Sequence, residues 1–172
     1  MLLSLATSVC ATAAMSQPVS EAAGSFPFDN QTFAGHVTDL LAAKGLRGSF
    51  QRGNCQNTDR DGNEISSCNY HLYSLLYRLW WPVGSDRVSR ISARPSYNSR
   101  YELSNTAVLG LSAVIAAVEA TDDDATVLSI SDRLLAAGRT LGGTSVVQTS
   151  HARYELSLGK DGYAFEATAP YK

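Results

Sequence analysis

The sequence predicts an α+β domain in which an antiparallel sheet is packed on one face by about three helices. Apolar residues recur at helical spacing in three separate stretches. Near the C-terminus, apolar and polar residues alternate strictly on both sides of a Gly-Lys-Asp-Gly turn. An aromatic-rich segment before Pro82-Val83-Gly84-Ser85-Asp86 reads as a further hairpin.

The chain begins with twenty uncharged residues. Leu2, Leu3, Leu5, Ala6 and Val9 form a short apolar run, followed by small residues with an Ala-x-Ala site at Ala11 to Ala13. This pattern fits a secretory signal over residues 1–14 better than a membrane span, although no Lys or Arg precedes the run. Residues 15–25 read as a flexible tether and 26–172 as one globular domain. The expected location is therefore outside the cytoplasm, periplasmic or extracellular, with no transmembrane segment in the mature chain.

Fourteen Lys and Arg balance sixteen Asp and Glu, for a net charge of −2, so no overall basic field favours nucleic acid. Cys10 falls within the signal, leaving Cys55 and Cys68. An even pair in an exported chain is expected to form a disulfide. Closing a loop of about 14 residues would contribute on the order of 3 kcal/mol in the chain-entropy picture.

The first helix is expected from Gln31 to Lys44, with Phe33, Val37, Leu40 and Leu41 on one face. Asp29 or Asn30 supplies its cap, and Gly45-Leu46 its stop. Residues 47–67 read as polar and turn-rich. Asn69 to Trp81 fits a helix or a buried strand; its aromatic content and the following turn favour a strand that returns through Arg87 to Arg94.

A second helix runs from Ser104 or Asn105 to Glu119, with a bulky stripe (Val108, Leu111, Ile115, Val118) and a small one (Gly110, Ala113, Ala117). Asp122 to Asp124 suit the positive start of a third helix, Ala125 to Ala137, stopped by Gly138. Strands are expected at 144–149, at Tyr154 to Leu158 and from Tyr163 to Ala167. The Leu40–Leu46 and Leu134–Leu141 segments resemble each other, which two helix-then-sheet halves would explain; chance similarity between common helix-forming residues is the simpler explanation.

Catalytic motifs are sparse. The sequence holds no phosphate-binding GxxxxGK[ST], no HExxH and no CxxC. His36, His71 and His151 are scattered, and a His-based hydrolase would require one of them to meet a carboxylate or hydroxyl in a cleft. Residues 57–64 echo the start of a calcium loop, but its twelfth position is Cys68 rather than Glu. Cys55, Cys68 and His71 would make an incomplete zinc set. Neither a metal nor another cofactor is expected.

The most distinctive surface candidate lies between Tyr70 and Tyr101, where tyrosines and two tryptophans alternate with arginines. Trp and Tyr bury much area at small entropic cost and, with Arg, are enriched in binding hot spots. Adjacent residues on a strand point to opposite faces, so one of Trp80 and Trp81 should lie outside the core. Trp80 or Trp81 is thus the expected aromatic anchor, with Arg78, Arg87 and Arg90 as polar contacts. The expected function is non-catalytic binding of an unidentified protein or cell-envelope component; a small secreted hydrolase and a structural envelope component are the alternatives. The sequence does not fix the oligomeric state.

Overall fold

In the computed structural model, residues 24–60, 62–95, 104–137 and 140–170 are described. The expected signal at 1–14, most of the expected tether, Tyr97, Arg100, Tyr101 and Gly138 lie outside them. The element order is α1 (Asn30–Ala43), β1 (Gln51–Arg60), β2 (Asn63–Leu72), β3 (Leu75–Pro82), β4 (Arg90–Pro95), α2 (Asn105–Glu119), α3 (Asp124–Ala137), β5 (Thr144–Gln148), β6 (Arg153–Gly159) and β7 (Gly162–Thr168). All seven strands join one antiparallel sheet in the order β1-β2-β3-β4-β7-β6-β5. Two helix-then-meander runs therefore meet where β4 pairs with β7.

Local chemistry accounts for the helix ends. Asp29 accepts hydrogen bonds from the Gln31 and Thr32 amides and opens α1. At the other end Gly45 takes a φ of 70°, and the Leu46 amide returns to the Leu41 carbonyl. Ser104 caps α2 through the Ala107 amide. Asp123 accepts from the Ala125 and Thr126 amides and opens α3. Among the three expected helices, each end that is described falls within about two residues of its expected place.

The expected polar connection over residues 47–67 is a correction. Most of it is β1 and the beginning of β2, joined at a turn where Gly62 has a φ of 80° and its amide bonds Asp59. The side chains described on β1 are all exposed. An edge strand of this kind is defined by its pairing and carries no apolar alternation. The single strand expected over 69–81 is also two strands: β2 ends at Leu72 and β3 starts at Leu75. Tyr73 makes that turn in the left-handed region, with a φ of 54°. Its ring lies against Gly48, where an added Cβ would come within 3.0 Å of the phenol.

The three helices cover one face of the sheet. Phe33 of α1 meets Phe50, whose ring contacts Tyr70 and Tyr77 at centroid distances of 4.9 and 5.0 Å. α2 approaches β2 and β3 closely at Gly110. From α2, Leu111 and Ile115, and from α3, Leu134, pack above Leu156 and Phe165. Alternate residues facing this layer, including Leu79, Ile91, Tyr154 and Ala167, are buried. The residues between them form the sheet's other face, which no described helix covers.

Candidate binding face

Strand alternation separates the two tryptophans. Trp81 packs against the core, while Trp80 stands on the open face. Register then gathers its neighbours. Arg78 is two residues away on β3, and Arg90 is the cross-strand partner of Trp80 on β4. Their guanidinium carbons lie 5.2 and 5.6 Å from the Trp80 ring centroid, within cation–π range.

Each group is tied down further. Trp80 Nε1 donates to Ser92 Oγ at 3.4 Å, and Arg78 Nε donates to Asn69 Oδ1 at 2.7 Å. One Arg90 Nη atom pairs with Glu166 of β7 at 2.5 Å. The Nε of Arg90 is shielded from solvent with no hydrogen-bond acceptor among the described residues. Both partners of the Arg90–Glu166 pair are about one-third exposed, so screening keeps its contribution small.

These side chains line a shallow concavity of about 320 Å³ across β3, β4, β7 and β6. Its lining includes three arginines (Arg78, Arg90, Arg94) and two glutamates (Glu155, Glu166). Glu155 is paired with Arg153 and Glu166 with Arg90, whereas Arg78 is bonded to a neutral amide. The concavity therefore combines an aromatic ring with a positive excess, suited to an anionic group on a partner.

The structure brings Arg78, Trp80 and Arg90 together and leaves Trp81 and Arg87 elsewhere. Arg87 is exposed in the β3–β4 connection, where its backbone bridges Asp29. Glu166, Ser92 and Asn69 belong to the cluster without having been singled out in the sequence. The period-2 pattern of β7 places Glu166 opposite Phe165 and Ala167, but only the β4–β7 pairing reveals its partner.

A second polar cluster ties the end of α2 to the β5–β6 turn. The Glu119 side chain, only 7% exposed, accepts from Tyr154 at 2.6 Å and Thr149 at 2.8 Å, and contacts His151 Nδ1 at 3.1 Å. Burial, reinforced by this carboxylate, pushes the Tyr154 phenol well above its ordinary value. Ser150 Oγ approaches the same His151 nitrogen at 3.4 Å. A serine–histidine–carboxylate relay needs the hydroxyl and the carboxylate on different ring nitrogens. This cluster does not have that arrangement. His36 lines a separate depression between α1 and the α2–α3 turn, and His71 is exposed on β2.

Cys55 and Cys68 are disulfide-bonded and directly opposed across the β1–β2 ladder. That removes both from the incomplete zinc set. The described residues of 57–64 lie at the end of the same hairpin, with Asn57 opposite Ser66 and Asp59 opposite Glu64. No group of three or more His, Cys, Asp or Glu residues clusters among the described residues. No described helix is long and apolar enough to cross a membrane.

Comparison of the chain with protein-family models, curated proteins and solved structures finds no match.

Proposed function

We propose that this protein is an exported, non-catalytic binding protein that engages a protein or cell-envelope component through the open face of its sheet. The observation that carries this reading is Trp80, held by the Arg78 and Arg90 guanidiniums at a concavity with a positive excess that no described helix covers. Rigid aromatic and guanidinium groups lose little entropy on binding, and these are fixed in advance by Asn69, Ser92 and Glu166. The disulfide supports the expected export. So does the uncharged, apolar start of the chain.

The test compares Trp80→Ala and Arg78→Ala with the parent protein for capture of partners from the envelope or extracellular fraction of the producing cell. A hot-spot loss of about 2 kcal/mol corresponds to roughly thirtyfold weaker binding. Retained capture by folded Trp80→Ala protein would remove the assignment. Intact mass of the exported protein, before and after reduction, tests the location separately.

A further inference from the structure

The disulfide sits in an asymmetric and charged setting that its structural role does not require. Cys55 lies on the exposed edge strand, whereas Cys68 is 1% exposed beneath it. Cys55 is therefore the more accessible of the two half-cystines to an incoming thiolate. The β1–β2 register shifts between Arg52 and Cys55. That irregularity lets the Arg52 side chain fold over the bond. Its Nε and one Nη lie 3.3 and 3.1 Å from Cys55 Sγ, and the same Nη lies 3.7 Å from Cys68 Sγ. Behind Cys68, the Asn30 amide nitrogen is 3.9 Å from its sulfur.

We propose that Cys55–Cys68 is a thiol–disulfide exchange site at which a small-molecule thiol adds to Cys55. The external thiolate attacks Cys55 Sγ and forms a mixed disulfide. The Cys55–Cys68 bond breaks, and its electron pair leaves on Cys68 Sγ, which then takes a proton from solvent. A second thiolate attacking the external sulfur of the mixed disulfide releases Cys55. Two external thiols are thus oxidised to one disulfide while the protein disulfide is reduced to two thiols.

Negative charge in the exchange transition state is spread over the three sulfurs in line. Arg52 sits against both protein sulfurs of that line, where developing charge is stabilised by a positioned cation. Asn30 faces the leaving sulfur with a donor. Exchange also releases the covalent tie between edge strand β1 and its neighbour β2.

The experiment exposes the folded, oxidised protein to glutathione, quenches with iodoacetamide at short times and maps the peptides. Glutathione on Cys55 with carbamidomethyl on Cys68 is expected. Arg52→Gln should slow adduct formation roughly three- to tenfold, as expected when loss of a neighbouring charge raises a thiol pKa by about one to two units. Arg52→Lys should retain most of the rate. Near-ultraviolet circular dichroism confirms that each oxidised variant is folded, and Cys55 selectivity in the parent protein tests the site even if Arg52→Gln is not. Glutathione on Cys68, an unchanged rate in folded Arg52→Gln, or adducts formed only in denaturant would each overturn the proposal.

Discussion

The contact between Tyr77 and Gly110 yields a quantitative prediction. Tyr77 is fully buried, and its hydroxyl finds no hydrogen-bond acceptor among the described residues. Burial pushes its pKa far above the ordinary tyrosine value, with a smaller contribution from Tyr73. An unpaired buried hydroxyl costs about 1–3 kcal/mol. Tyr77→Phe removes the hydroxyl and keeps the ring, and should stabilise the protein by about 1 kcal/mol, raising Tm by roughly 2–5 °C. A Cβ added at Gly110 would lie 3.1 Å from this hydroxyl and 3.3 Å from Leu72 Cδ2. Gly110→Ala gains up to about 1 kcal/mol of helix propensity but incurs about 1–3 kcal/mol of overpacking. A net loss of about 1 kcal/mol follows. In the Tyr77→Phe background the nearest obstruction is gone, so most of that loss should vanish. Urea denaturation of both single variants and the double variant measures this coupling. Destabilisation by Tyr77→Phe, or strict additivity with Gly110→Ala, would refute the reasoning.

Three further outcomes follow from the same geometry. Glu119→Ala should lower stability by about 1–3 kcal/mol in chemical denaturation, because it strands the buried Tyr154 hydroxyl, whereas the Thr149 hydroxyl keeps the Ala152 carbonyl as an acceptor; Glu119→Gln should cost less. The phenols of Tyr70, Tyr77 and Tyr154 are all raised, chiefly by burial. The unfolded chain therefore loses these protons first, so stability is fully present below about pH 10 and falls as the pH rises above it; phenolate absorbance should appear together with unfolding. Replacing both Cys55 and Cys68 with alanine should cost about 3 kcal/mol in thermal or urea unfolding, for a bond joining residues with a sequence separation of 13.

The helices and the C-terminal hairpin were legible because each carries a short-range signal. In α1 the Phe33, Val37 and Leu41 spacing lies between the Asp29 cap and Gly45. In β6 and β7 the alternation flanks a two-residue turn. β1 lacked such a signal, since Gln51 to Asp59, apart from the disulfide-bonded Cys55, place polar side chains or Gly in water on an edge and owe their conformation to β2. The turn between β2 and β3 was hidden by its residues: Tyr73 and Ser74 interrupt an apolar run without glycine, proline or asparagine. At the candidate site, the opposite facing of Trp80 and Trp81 follows from the strand period alone. The meeting of Arg90 with Trp80, and of Glu166 with Arg90, depends on the β3–β4 and β4–β7 registers. Residues far apart in the chain carry no local trace of such pairing.

The most direct test of open-face binding places a photoreactive benzophenone side chain at position 76, which lines the concavity, or at position 128, which is 56% exposed on α3. Irradiation of cells producing each variant should give a discrete cross-linked species from position 76 and none from position 128. Adding Trp80→Ala should abolish that species. Cross-linking from position 128 alone, or from position 76 with equal yield after Trp80→Ala, would contradict the account.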